Sequence, residues 1–198
     1  MKKLDLTTAA VTFTEWFSGI AILNLSWLLF SLPIFTLIPA TDAVFEVVHD
    51  WKEEGKPESI FTQFTIFFKR NFKKSFRLGL PIFISILLLI MDLYFLNSFN
   101  QPTTTFQIFK YAFYTFAILI LLMILYVYPL SKRQQEASPK LLLFAFMLIV
   151  GNLKITFSIL IILVACLFIF NWFPAMLFFI PVSGLAWLGE TALENIEN

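Results

Sequence analysis

SLPIFTLIPATDAVFEVV, residues 31–48, decides the fold. Two prolines, Pro33 and Pro39, stand in an apolar run that gives way to an acidic one. Upstream, no residue from Trp16 to Thr41 carries a charge, and a helix needs about 20 apolar residues to cross a hydrocarbon core of about 30 Å. The stretch therefore reads as a membrane exit. A first span over about 17–38 is bent by Pro33, and Pro39 biases the residue before it away from helical geometry. Thr41 then serves as the N-cap of a surface helix, with Asp42 favourable to the dipole of its first turn.

Composition supports the bilayer as the home of this chain. Of 198 residues, 59% are hydrophobic and 14% charged, and 26 are Phe; the mean hydropathy is +0.84. So few polar side chains cannot cover a water-exposed surface. The single cysteine, Cys166, excludes an intramolecular disulfide, and with the single histidine, His49, it excludes a Cys/His metal cluster. No cofactor is expected, and a net charge of +1 argues against nucleic acid as a partner. Lys2 and Lys3 precede a mixed stretch rather than the apolar core of a cleavable signal.

The expected fold is an all-α, polytopic membrane helix bundle in one domain, 1–198. Further spans fall at about 78–99, 111–130, 155–171 and 174–190, the last two separated by a turn at Asn171-Trp172-Phe173-Pro174. That makes about five spans. The stretch 139–152 is too short to cross and reads as an interfacial helix; a six-span alternative makes it a short membrane helix. Lys and Arg concentrate between the first and second spans and between the third and fourth, which places those segments in the cytoplasm. The N terminus is then expected outside and the C terminus inside, in a multi-pass membrane protein.

Two interfacial helices are expected after the first span. Over 42–54, Asp42, Glu46, Asp50 and Glu53 recur at helical spacing beside an apolar stripe, and Gly55 and Pro57 end the helix. Over 59–76, Phe61, Phe64, Phe68, Phe72 and Phe76 share one face. Lys69, Arg70, Lys73, Lys74 and Arg77 are candidate contacts to anionic phospholipid headgroups, where each basic residue is worth about 1 kcal/mol. The segments starting at Asn71 and Asn152 follow one loose pattern of amide, Lys, Ser/Thr and Phe, either an internal repeat or a common demand of helix entries at an interface.

The span ending in Asn24-Leu-Ser-Trp27 and running through Pro33, Thr36, Pro39 and Thr41, together with Phe64 to Asn71, resembles the YesL-like family of bacterial membrane proteins. The resemblance covers most of the chain and is densest over residues 20–80. It implies a small polytopic protein of the bacterial plasma membrane, encoded in many Gram-positive bacteria beside carbohydrate-uptake transporters and polysaccharide-degrading enzymes. The family is a domain of unknown function, so the resemblance implies no reaction. This chain has Leu37-Ile38 where many relatives have Ile-Gly, a departure at the bend.

The candidate intramembrane polar residues are Asp92, Asn24 and Asn171. An acid at the centre of a span costs about 2.5–3.5 kcal/mol on insertion scales, which marks Asp92 as a site; near Tyr94, Asn97 and Asn100 it also suits the headgroup region. Asn24 and Asn171 suit interhelical hydrogen bonds. His49 reads as a solvated surface residue and Glu190 as an exposed cytoplasmic acid. No phosphate loop, dinucleotide turn, nucleophile elbow or HExxH motif appears, so no enzyme is expected. The leading reading is an accessory or regulatory partner of a sugar transporter, with the bilayer as its medium; the alternative is a small transporter or channel that uses Asp92 and Asn24.

Overall fold

A computed structural model describes residues 6–98, 104–134 and 138–197. Lys2, Lys3, the predicted end of the second span at 99, and Asn100 lie outside the described residues. Among the described residues the chain is an all-α bundle of seven α-helices: α1 Leu6–Phe30, α2 Leu37–Glu54, α3 Ile60–Asn97, α4 Thr104–Arg133, α5 Lys140–Gly151, α6 Leu153–Trp172 and α7 Pro181–Glu197. Four of them, α1, α3, α4 and α6, are long and apolar enough to cross a membrane, not five. The fifth expected span, 174–190, divides into a 3-10 turn, Pro174–Phe178, and the 17-residue α7. At 12 residues, α5 is about 18 Å long and too short to cross, as its sequence indicates.

The membrane exit at 31–48 is a tight reversal. Helix α1 ends at Phe30, eight residues before the predicted end at 38, because Pro33 is extended (φ −76°, ψ 116°) and starts a 3-10 turn, Ile34–Thr36. The Thr36 hydroxyl, 2.6 Å from the carbonyl oxygens of both Phe30 and Pro33, closes the turn. Helix α2 begins at Leu37 rather than after Thr41, with Pro39 in its first turn, where a missing N–H breaks no intrahelical bond. Thr41 is therefore not an N-cap. Its Oγ1 donates to the Leu37 carbonyl at 2.9 Å and accepts from Trp27 Nε1 at 3.0 Å.

That last bond sets the direction of α2. Trp27 meets Thr41, and Gly19 faces Trp51, so α2 runs back antiparallel along α1. It is not a surface helix: Ala40, Asp42, Val44, Phe45, Glu46 and Val48 lie on different sides of its cylinder and all are buried. Helix α3 covers a second side antiparallel to α2, with Ser75 at Asp42, Asn71 at Glu46 and Gln63 at Asp50. The expected interfacial helix 59–76 and second span form this one unbroken helix of 38 residues, about 57 Å long. Ser59 caps its start, accepting from the Thr62 N–H. Asn71 lies inside α3 whereas Asn152 is a break between α5 and α6 (φ −117°, ψ 55°), so the two segments of the proposed repeat have different structures.

Helix α4 returns antiparallel beside the apolar half of α3, with Lys110 bonded to Asn97 at one end and Tyr128 beside Gly79 at the other. Helix α7 runs parallel to α4, Gly189 against Leu125 and Glu197 paired with Arg133. One apolar core joins α4, α5, α7, the second half of α3 and Ile159 of α6; another joins α1, α2 and the first half of α3 with Tyr128 of α4 and Ala186 of α7, and the Phe45–Tyr128 stack at 5.0 Å ties α2 to α4. Lys56 Nζ donates to the Glu15 carbonyl and Lys52 pairs with Glu194, so the early part of α1 and the end of α7 meet at the same end of the bundle. Termini on opposite sides do not follow from this arrangement.

The α4–α7 contact depends on Gly189, where a Cβ would collide with the Leu125 carbonyl oxygen. Gly151, at the end of α5, has open space around it. Gly189→Ala is expected to destabilise the protein by about 1–3 kcal/mol through overpacking, and Gly151→Ala to be neutral or stabilising by up to about 1 kcal/mol. Thermal unfolding of both variants in detergent checks the difference; equal effects contradict the packing.

Candidate functional site

The acids of α2 are its functional feature because they are buried and paired. Asp42 and Glu46, one turn apart, both reach the Lys132 ammonium near the end of α4, at 2.7 and 2.9 Å. Ser75 Oγ donates to the other Asp42 oxygen at 2.7 Å. Arg70 and Asn71 of α3 donate to the two oxygens of Glu46, and the Arg70 guanidinium packs 4.6 Å over the Phe67 ring. Two carboxylates thus meet two cations, the condition for keeping charges away from water. The cleft beside Asp42, Ser75 and Lys132 measures about 10 Å³, room for about one water molecule.

A second cluster lies two turns further along α2. His49 Nε2 is 3.6 Å from Glu53, and Nδ1 is 3.3 Å from Glu190 of α7. Glu190 is 1% exposed. Its Oε2 receives Arg133 at 3.4 Å, and Arg133 also pairs with Glu197. Its Oε1 is within ion-pair reach of His49 without the alignment of a hydrogen bond. Lys52 bonds Thr191 at 2.7 Å and Glu194 at 2.9 Å. The Glu190 contact holds the His49 pKa above its ordinary 6.5, against the lowering effect of burial, and Glu53 and Asp50 add to the rise. Burial also pushes the Asp50 carboxyl up, helped by the Glu46 charge. His49 and Glu190 are thus neither solvated nor exposed, contrary to the sequence reading.

Chemically, the network locks helices and can hold a proton at His49. Among the described residues, no group of three or more His, Cys, Asp or Glu side chains is arranged to hold a metal. The three intramembrane polar candidates are not brought together. Asn24 is buried between α1 and α7: Nδ2 donates to the Phe178 carbonyl at 2.9 Å, and Oδ1 accepts from the N–H groups of Val182 and Ser183 at 2.9 and 3.3 Å. It thereby satisfies the start of α7, the part an N-cap side chain ordinarily plays. Asp92 and Asn171 are exposed on α3 and α6, so Asp92 and the buried Asn24 do not line one path.

The basic residues of α3 divide. Arg70 is engaged with Glu46, and Lys74 borders the cleft at Asp42. Lys69, Lys73 and Arg77 are exposed. The segment of prolines, threonines and Asn71 now has physical roles: Pro33 and Thr36 shape the reversal, Thr41 pins it to Trp27, and Asn71 fixes α3 on Glu46. Sequence reasoning missed Lys132, Arg133 and Glu190 as members of the site. The available signal was the charge each carries at the edge of an otherwise apolar helix, where burial demands a partner.

Residues 20–93, from within α1 almost to the end of α3, match a family described as "Protein of unknown function, DUF624". The chain is similar to the uncharacterized protein YesL of Bacillus subtilis (strain 168), 30% identical over 124 residues, which are 61% of this chain and 57% of that relative. It is also similar to the uncharacterized protein YteU of the same organism, 28% identical over 174 residues, 86% of this chain and 77% of YteU. The first match thus spans just over half the length of YesL. No solved structure matches the chain.

The raised His49 sets a pH dependence. A histidine whose folded pKa lies above 6.5 contributes stability fully present below that value and lost as pH rises through the folded pKa. The raised Asp50 carboxyl acts with the same sign from 3.8 upward. Thermal stability in detergent is expected to fall as pH rises from 6.5, and His49→Gln to remove that fall while leaving the Asp50 contribution. An unchanged slope in the variant contradicts the His49–Glu190 contact.

Proposed function

For a chain that belongs to the YesL-like family, whose curated relatives carry no assigned activity, we propose a non-catalytic role as an integral protein of the bacterial plasma membrane. It serves as an accessory or regulatory partner of a carbohydrate-uptake transporter. The observation that carries the membrane part is α3: Lys69, Lys73 and Arg77 are exposed just before an apolar half long enough to cross a membrane. Exposed cations directly beside a membrane-length apolar run suit the anionic headgroups of the cytoplasmic leaflet. The end of α7 then faces the cytoplasm with Arg133 and Lys52, and the early part of α1 shares that side because Lys56 reaches Glu15.

The accessory role is supported by two features. Asp42 and Glu46, the most buried acids of α2, spend their charge on internal pairs. The resemblance to a family found beside carbohydrate-uptake systems supplies the class of partner. The transporter alternative has less support, since the polar atoms of Asn24 are engaged with α7 and Asp92 is exposed.

Deletion of the gene is expected to slow uptake of labelled oligosaccharides several-fold. The wild-type chain restores the rate, and a chain carrying Lys69→Glu, Lys73→Glu and Arg77→Glu does not. Uptake unchanged by the deletion overturns the accessory role. A reporter fused after α7 that is active only outside the cell overturns the assigned sidedness.

A further inference from the structure

Protein interiors are packed with few voids larger than a water molecule, and this bundle departs from that rule beside α6. Only Thr156 and Ile159 of α6 are buried, so most of that helix stands off its neighbours. Between it and α1, α4 and α7 runs a cleft of about 470 Å³ bounded by Trp16, Leu121, Leu163, Cys166, Gly184 and Leu188. Its size falls within the range of small-molecule clefts, about 300–1,000 Å³. The cleft is open on one side and its wall is apolar almost throughout, so covering it with an apolar group removes hydrocarbon surface from water. An apolar occupant suits it best.

The outer face of the same helix indicates the occupant. Ile161, Val164, Leu167 and Phe168 are exposed, and Leu167 also borders the cleft, so the cleft opens onto the surface that lipid chains cover if α6 crosses the bilayer. One end is marked differently. Trp187 lies there in edge-to-face contact with Trp16 and Trp51, at 5.7 and 5.5 Å. Thr191 also borders the cleft; its hydroxyl donates to the Trp187 carbonyl at 2.9 Å and accepts from the Lys52 ammonium at 2.7 Å, which also pairs with Glu194 at 2.9 Å and sits 5.4 Å over the Trp187 ring. Clustered tryptophans with a hydroxyl and an amine suit the headgroup level of a bilayer, where amphipathic rings collect. The opposite end, at Phe170 and Leu177, offers only hydrocarbon.

The geometry points to a bound membrane glycerophospholipid: one acyl chain lies in the cleft between α6 and α7, with its ester and headgroup region at Trp187, Thr191 and Lys52. This inference rests on the membrane reading above and extends it from general contact with the bilayer to one retained lipid. Gly184 makes the room, since a Cβ there meets only Ile180, at 3.1 Å, and a larger side chain grows into the cleft. The lipid acts as the packing that α6 lacks.

Native mass spectrometry of the full chain, extracted from membranes in mild detergent, tests this. The wild type is expected to retain one glycerophospholipid mass per chain. Gly184→Phe and Leu167→Trp, which fill the cleft from opposite walls, are expected to lose at least tenfold of it. Val164→Trp, on the exposed face of α6 outside the cleft, should keep it. Leu167 is exposed, so its variant reads the cleft even if Gly184→Phe fails to fold. Equal retention in wild type and Leu167→Trp, or none in the wild type, overturns the inference. Alkaline carbonate extraction separates the two levels: a chain that stays in the membrane pellet yet binds no lipid contradicts the site alone, whereas a chain released into the supernatant contradicts membrane insertion itself.

Discussion

An acidic helix can run through the middle of an apolar bundle only if cations from outside it meet its carboxylates. Here Lys132 of α4 meets two of them, Asp42 and Glu46, and Arg70 completes the charge balance from α3. Much of the architecture follows from satisfying that demand. Helix α4 must bring its C-terminal end to the middle of α2, α3 must present Asn71 and Ser75 to the same face, and α1 must double back so that α2 is covered on its remaining side. A lone carboxylate in such a place is not tolerated, because removing one partner of a buried pair costs about 3–5 kcal/mol. The network also specifies register: each carboxylate meets its own partner on α3, and a one-residue slide misplaces both.

The helical class, the membrane-length apolar runs and the short α5 were legible in the sequence, because each depends on run length and hydropathy alone. The role of α2 was not. Its acids recur at the spacing of a solvated stripe, and periodicity is the same whether that stripe faces water or a row of cations from other helices. Thr41 and Pro39 misled for a related reason. Both are start signals, and the turn made by Pro33 and Thr36 had already started the helix five residues earlier, leaving Pro39 in a position where proline is harmless. The stretch 174–190 was read as a span because it carries no charge before Glu190, but Glu190 needs Arg133 and His49, and α7 is placed to reach them.

Charge is divided between inside and outside in a way that agrees with life at a membrane surface. The buried acids and their cations bind helices to one another, while Lys69, Lys73 and Arg77 remain directed outward beside an apolar helix half. Asn24 performs the uncharged version of the same task, satisfying the start of α7 from α1. Helix α6 is the exception: it has little buried surface and no ion pair among the described residues, and a lipid chain in the cleft beside α7 supplies the contact that side chains do not.

Lys132 holds Asp42 and Glu46 inside the bundle. A double-mutant cycle in detergent, combining Lys132→Met with Asp42→Asn and Glu46→Gln, tests it through unfolding free energies. Lys132→Met alone is expected to cost about 3–5 kcal/mol, and neutralising both acids in the same chain should recover more than half of that loss. Additive effects, with no recovery on neutralising the acids, would contradict the account.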